Sequence, residues 1–95
     1  MATLVTGDTL DKASALLKAI AHPDRLQIVN ILINGEFNVG ELAKLLGTGK
    51  SITSQQLSIL KLAGVLKSRR DSNKTYYFLA NDSIKRIVKS IIAGI

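Results

Sequence analysis

The sequence of 95 residues contains no cysteine, and it contains only one histidine and one proline. Without cysteine the chain cannot form disulfides, thiolate zinc sites or a cysteine nucleophile. A single histidine also argues against a conventional histidine-rich metal site within one chain. We therefore expect no metal and no other cofactor.

Long apolar runs are absent as well. The first ten residues lack the basic start and apolar run of a secretory signal, and no stretch approaches the roughly 18 apolar residues that a membrane-spanning helix needs. The length is typical of one domain. We expect a single domain over residues 1–95, located in the cytoplasm and without a membrane partner.

Acidic residues are missing from the middle of the chain. None lies between Glu41 and Asp71, and residues 44–74 carry seven Lys and Arg residues against the one Asp71, a net charge of +6 that equals the net charge of the whole chain. A localised positive patch is typical of proteins that bind a polyanion. A solvated basic surface has the same composition, so charge alone leaves both interpretations open.

Apolar residues at helical spacing predict helices in the first half of the chain. The first helix is expected to begin with Asp8 or Thr9 as its N-cap. Proline suits the first turn of a new helix, so a second helix should run from Pro23 to about Ile33. Its apolar residues cover more than one face, which indicates that it is the most buried helix.

Two more helices follow in close succession. Asn38 and Glu41 have the spacing of a capping box at the start of a short third helix. After the turn "TGK", a fourth helix is expected over residues 51–63. Leu57 and Leu60 are predicted to face inward, and Ile52 and Ile59 are predicted to lie on an adjoining flank.

The last part of the chain predicts a hairpin and a final helix. Residues 65–70 and 75–79 are rich in β-branched, aromatic and basic residues, and the turn-forming stretch "DSNK" separates them. Asn81 or Asp82 can then cap a last helix that carries one apolar stripe. The expected fold class is therefore mainly α with a β-hairpin wing, a winged helix-turn-helix.

The fourth helix has the chemistry of a DNA recognition helix. Such a helix must offer hydrogen-bonding groups to base edges and must keep carboxylates away from phosphates. The predicted base contacts are Ser51, Ser54, Gln55, Gln56 and Ser58. The predicted contacts of the DNA backbone, including those from the wing, are Lys50, Lys61, Lys67, Arg69, Arg70 and Lys74.

Four segments together resemble one known family. The segments "LKAIAHPDRLQIVNIL", "NVGELAKLLG", "SITSQQLSILKLAGVLKSRR" and "YYFL" follow the pattern and spacing of the winged-helix repressors of the arsenic-repressor (ArsR/SmtB) type. The resemblance covers about residues 10–93. It implies a cytoplasmic, dimeric DNA-binding repressor whose dimer is built mainly from the first and last helices.

Apolar stripes on the two terminal helices independently favour a homodimer, because they exceed what one small core can cover. The predicted interface residues are Leu10, Leu16, Leu17, Ile20, Ile84, Ile87, Val88, Ile91 and Ile92. A two-fold dimer presents two recognition helices about one DNA turn or a multiple apart. The expected partner is therefore double-stranded DNA that contains an imperfect palindrome.

The residues that sense metals in the resembled family are missing. Many members of that family release DNA when a metal binds, through a Cys-x-Cys pair at the start of the third helix or through Asp and His pairs on the last helix. Here the first two positions are Asn38 and Gly40, and the last helix has no histidine. We predict a regulator that responds to neither metals nor thiol oxidants, with no inducer indicated. The lone His22 is either a pH-responsive group or a helix-entry residue packed near the dimer interface.

Other functions remain to be weighed against this one. No catalytic arrangement or phosphate-binding glycine loop is present, which argues against an enzyme. Winged helices also serve as protein-interaction modules, and a basic domain can bind nucleic acid without sequence preference. Modules that bind RNA usually expose several aromatic residues, whereas three of the four aromatic residues here lie in one predicted strand.

Overall fold

Five helices and three short strands make up residues 3–95, the part of the chain that the computed structural model describes. The first two residues of the expected domain lie outside it. In chain order the elements are α1 (Gly7–Ile20), α2 (Pro23–Leu32), β1 (Phe37–Asn38), α3 (Val39–Leu46), α4 (Lys50–Leu62), β2 (Leu66–Asp71), β3 (Lys74–Leu79) and α5 (Asp82–Ala93). The predicted class, helices with a β-hairpin wing, is confirmed.

The first two helices begin with side-chain caps. Thr6 caps α1 by accepting a hydrogen bond from the Thr9 amide at 3.3 Å, so the expected cap at Asp8 or Thr9 is wrong. Thr is itself a good N-cap, and this earlier start places Asp8 in the first turn, where the helix dipole favours an acid. His22 caps α2 through Nδ1, which accepts from the Asp24 amide at 3.3 Å. The helix-entry role of His22 is thereby confirmed.

The capping box at the start of α3 is confirmed. The Asn38 side chain accepts from the Glu41 amide, and the Glu41 carboxylate accepts from the Asn38 amide, both at 2.9 Å. Gly47 ends α3 in the left-handed conformation with φ of 70°. This leaves room for a short turn before α4, which begins at Lys50 and ends at Leu62, each one residue earlier than expected.

The core surrounds α2, as its apolar composition predicts. This helix packs on α1, α4, α5 and β3, and both Ile28 and Val29 are fully buried. Leu57 and Leu60 of α4 also face inward. The core residues are Ala19, Ile20, Ile28, Val29, Leu32, Leu42, Leu57, Leu60, Val65, Leu66, Ile84 and Val88.

The hairpin is tighter than expected, and it gains a third strand. Asp71 pairs with Lys74, so the turn contains only Ser72, with φ of 56°, and Asn73. The predicted stretch "DSNK" is therefore the four-residue β-turn, and each strand extends one residue farther into it than expected. The sheet order is β1-β3-β2, in which the unpredicted β1 pairs antiparallel with β3. The two residues of β1 are too few to show a strand pattern.

Helix α1 extends well beyond the core. Its residues from Gly7 to Ala15 are exposed, and only Ala19 and Ile20 at its end are buried. The radius of gyration is 14.2 Å, whereas a compact domain of this length has about 12 Å. None of the helices within residues 3–95 has the length and apolar character needed to cross a membrane.

Candidate nucleic-acid interface

The outer face of α4 carries four exposed polar side chains. They are Ser51, Ser54, Gln55 and Ser58, and we call them the recognition face. The same helix buries Thr53, Leu57 and Leu60, so its two sides differ sharply in chemistry. Four of the five residues predicted to contact bases therefore lie together on an accessible surface rich in hydrogen-bonding groups.

Gln56 lies elsewhere. It is half-buried, and its side-chain oxygen accepts a hydrogen bond from Arg25 of α2 at 3.2 Å. The position follows from helix geometry, because Gln56 is three residues after the buried Thr53 and four before the buried Leu60. Gln56 therefore lies apart from the other four predicted base contacts, and its hydrogen bond to Arg25 argues against a base contact.

An apolar flank borders the recognition face on one side. Ile52 is 55% exposed, Ile59 is exposed as well, and Leu62 is 89% exposed at the end of α4. This agrees with the prediction that Ile52 and Ile59 lie on a flank beside the inward-facing Leu57 and Leu60. Ile52 and Ile59 are seven residues apart and share a flank, which the helical period already shows.

The other flank of α4 meets the wing. The Lys61 ammonium donates a hydrogen bond to the Ser68 hydroxyl of β2 at 2.7 Å, which ties the end of α4 to the hairpin. Near the start of α4, one cleft is lined by Lys50 and Ser54 together with wing residues that include Lys74 and Thr75. We call this the wing cleft. None of its described lining residues carries a carboxylate.

The basic residues of β2 point in two directions. Successive strand side chains alternate between the faces of a sheet, so Lys67 and Arg69 share one face and Ser68 and Arg70 the other. The contact of Lys61 with Ser68 shows that the second face is turned toward α4. Of the two predicted arginine contacts, only Arg70 therefore lies on the face that is turned toward the recognition helix.

Arg69 is already paired within the chain. Its guanidinium donates a hydrogen bond to the Glu36 carboxylate, lies 3.8 Å from an Asp71 carboxylate oxygen and sits 4.9 Å from the centroid of the Tyr76 ring. The hydrogen bond to Glu36 raises the pKa of Arg69, and the charges of Glu36 and Asp71 add to that effect. The two carboxylates offset its charge and argue against a contact with the DNA backbone, so the predicted role of Arg69 stays a prediction.

The predicted dimer residues divide into two groups. Leu10, Leu17, Ile87, Ile91 and Ile92 are exposed, and Leu16 is half-buried against the core. Ile20, Ile84 and Val88 are only 8%, 2% and 1% exposed, because they fill the protomer's own core around α2. These three are corrected from interface residues to core residues.

Three further apolar residues extend the exposed surface of the terminal helices. Leu4 and Val5 precede α1, and Ile95 follows α5; all three are exposed. They were missed because they lie outside the helical stripes. A hydrophobic staple, in which an apolar residue directly precedes the N-cap, could have pointed to Val5.

Sequence comparison gives clear matches over this region. A family model described as "Bacterial regulatory protein, arsR family" matches residues 22–68. The biofilm growth-associated repressor of Agrobacterium fabrum is 39% identical over 82 residues, which are 86% of this chain and 70% of that protein. The transcriptional activator HlyU of Vibrio cholerae is 36% identical over 78 residues, 82% of this chain and 72% of that protein.

Structure comparison agrees with the sequence matches. The solution structure of a homodimeric winged helix-turn-helix DNA-binding domain from Mycobacterium bovis, described as a possible ArsR-family transcriptional regulator, superposes with a TM-score of 0.84. It has 29% sequence identity, and the match covers 98% of this chain and 88% of that chain. These relatives are regulators, which confirms that the chain is not an enzyme. The chain belongs to the arsR family of bacterial regulatory proteins.

Proposed function

We propose that the protein is a transcriptional repressor that binds an imperfect palindrome in cytoplasmic duplex DNA as a homodimer. One observation carries the proposal. The recognition face of α4 lies beside the wing cleft, so that hydroxyl and amide groups adjoin two ammonium groups without an intervening carboxylate. Family membership supports the same function, and the Agrobacterium relative is itself named a repressor.

The recognition face supplies the base contacts in this proposal. Ser hydroxyls donate and accept hydrogen bonds, and a glutamine side chain can pair in a bidentate way with adenine in the major groove. Ser51, Ser54 and Gln55 lie in the first two turns of α4, the part of a recognition helix that reaches base edges. The exposed Ile52 beside them suits contact with the methyl group of thymine.

The basic residues around the recognition face supply the backbone contacts. Lys50 and Lys74 line the two sides of the wing cleft, and Arg70 lies on the wing face that is turned toward α4. We assign the main phosphate contacts to these three residues. Lys61 and Lys67, which do not line the wing cleft, are assigned secondary phosphate contacts. With about six to eight phosphates per dimer, log affinity falls against log salt with a slope of roughly −5 to −7.

Dimerisation explains the exposed terminal helices. Most of the 14 residues of α1 lie outside the protomer's core, and an isolated helix shorter than about 15 residues is marginal in water. A partner subunit would cover the exposed Leu10 and Leu17 of α1 and Ile87, Ile91 and Ile92 of α5. Burial of five such side chains contributes roughly 10 kcal/mol in gross terms, as an upper bound.

We also propose that DNA binding responds to neither metals nor thiol oxidants. The chain has no cysteine, and the Asn38 side chain at the start of α3 is used in the capping box. Within residues 3–95 no group of three metal-ligating side chains comes together. Micromolar zinc should leave operator affinity unchanged, and a zinc-dependent loss of affinity would contradict this part of the proposal.

Selection from a random duplex pool tests the function. The purified protein is mixed with the pool at about 150 mM salt, where interactions between exposed charges more than about 8 Å apart are largely screened. Enrichment of a palindrome supports a dimeric regulator that recognises sequence. Binding only at low salt without an enriched sequence would favour a non-specific nucleic-acid or protein-interaction module.

A further inference from the structure

We propose that Arg25 is a positioning residue that fixes the recognition helix α4 relative to the dimer helix α1, and thereby sets the spacing between half-sites that the dimer accepts. The inference rests on the proposed function, because it concerns a dimer on a palindrome. It assigns a role to a residue that contacts neither DNA nor a partner subunit in that proposal.

Arg25 connects three helices through two hydrogen bonds. It lies in the first turn of α2, and its Nε donates to the carbonyl oxygen of Ala19 in the last turn of α1. Its Nη1 donates to the side-chain oxygen of Gln56 in the middle of α4 at 3.2 Å. Both bonds are partly buried. One guanidinium therefore links the end of the dimer helix to the residue that follows Gln55 of the recognition face.

The hydrogen bond from Arg25 satisfies the Ala19 carbonyl, which has no backbone partner within α1. The carbonyl of Ala19 would normally accept from the amide four residues later, but that residue is Pro23, which has no amide hydrogen. The positive charge of Arg25 is also favourable at the carboxyl end of α1, where the helix dipole is negative. The rigid planar fork of a guanidinium then holds the second acceptor, Gln56, in a defined direction.

The other contacts between α1 and α4 are less directional. The groove between the two helices is lined mainly by small and aliphatic side chains, among them Ala15, Ile59 and Leu62. In the described part of the chain, no other side-chain hydrogen bond connects these helices. Apolar contacts are non-directional, so they resist rotation of one helix against another less than hydrogen bonds do.

Rotation of α4 against α1 would change the geometry of the dimer on DNA. In the proposed dimer α1 lies at the two-fold axis, so the path from α1 through Arg25 to α4 determines where each recognition helix stands. One added base pair moves a half-site by about 3.4 Å and turns it by about 35°. A well-fixed α4 should therefore discriminate strongly against spacers of the wrong length.

The test compares spacer preference with affinity. Affinities are measured for palindromes whose spacer differs by one or two base pairs in either direction from the selected operator. The variants are Arg25→Met, which keeps the aliphatic stem, Arg25→Lys, which keeps the charge, and Gln56→Met, which removes the acceptor. Gln27→Met on the exposed side of α2 is the matched control.

Wild type and Gln27→Met should bind an operator with a wrong spacer about tenfold or more weakly than the selected operator. For the Arg25 variants and Gln56→Met this difference should fall to about threefold, because hydrogen bonds of modest net strength are lost. Gln56→Glu keeps the acceptor, so it should retain the spacer preference even if the added charge lowers affinity. Melting temperatures show whether each variant is folded. If the Arg25 variants unfold, the comparison of Gln56→Met with wild type provides the test.

Equal loss of affinity at every spacer, with discrimination intact, would overturn the role of Arg25 and leave it a stabilising residue only. That result differs from failure of the proposed function. If wild type selects no palindrome, the proposed function fails first, and the inference about Arg25 fails with it.

Discussion

Arg69 on β2 and Glu36 before β1 form an ion pair that crosses the intervening strand β3, where the ring of Tyr76 lies beneath the guanidinium. The two residues are 33 positions apart in the chain. Their contact braces the hairpin against the segment that follows α2. Arg69 therefore differs from its neighbour Arg70, although both look alike in the sequence.

We predict different effects on salt dependence for these two arginines. Arg70→Ala should weaken binding to all duplexes and reduce the magnitude of the salt slope by about one per protomer, because a phosphate contact is lost. Arg69→Ala should leave the slope nearly unchanged, because its charge is already offset by Glu36. Fluorescence anisotropy titrations at several salt concentrations measure both slopes. A loss in Arg69→Ala as large as that in Arg70→Ala would contradict the assignment.

Removing the Glu36 carboxylate should strengthen DNA binding instead of weakening it. Glu36→Gln frees the Arg69 guanidinium from its partner and removes a negative charge from the wing region. We expect stronger binding to unrelated duplexes and a steeper salt slope. Asp8→Asn is a matched control, since Asp8 forms an exposed ion pair with Lys12 on α1, far along the chain from the wing. Equal effects from both substitutions would indicate only a general charge effect.

Gln55→Ala should relax sequence preference at one position of each half-site. The expected cost is about 1–3 kcal/mol on the preferred base pair and little on the alternatives, because one side chain reads one base pair. Competition with operators that carry single base changes measures the pattern. Gln27→Ala serves as the control outside α4. A uniform loss on all operators would show that Gln55 does not read a base.

Ile52 should read a methyl group of thymine. Replacing thymine by deoxyuridine removes only the C5-methyl group, so wild-type affinity should fall at the contacted position while base pairing is kept. In Ile52→Ala the same replacement should have no further effect, and a double-mutant cycle measures this coupling. Additive losses at every thymine of the half-site would contradict a direct contact.

A charge on the exposed apolar face of α5 should separate the dimer. Ile91→Glu places a carboxylate in the proposed interface, whereas Leu45→Glu places one on an equally exposed position of α3. Sedimentation should show a monomer for the first and a dimer for the second, because an unpaired charge is costly to bury. If Ile91→Glu is still a dimer, the interface does not include this face of α5.

Local patterns in the sequence predicted most of the fold. The reciprocal cap of Asn38 and Glu41 and the inward Leu57 and Leu60 follow from spacing alone, and the structure has them. The strand β1 could not be predicted in this way, because two residues show no alternation. Its pairing depends on β3, which lies nearly forty residues later in the chain.

The errors in the site have a common physical origin. Helical spacing shows that Ile84, Val88 and Ile91 share a stripe, but it cannot divide that stripe between the protomer's core and a partner. Gln56 and Arg69 likewise appear as free polar residues until their distant partners, Arg25 and Glu36, are known. Contacts between residues far apart in the chain decide which polar groups remain available.

The most direct test of a dimer that reads a palindrome through α4 compares the selected operator with a duplex in which one half-site is scrambled. At about 150 mM salt we predict that two protomers bind the intact operator. The affinity for the half-scrambled duplex should be at least about a hundredfold lower, because that duplex retains only one specific set of contacts. Equal affinity for the two duplexes, or one protomer bound to the intact operator, would contradict the account.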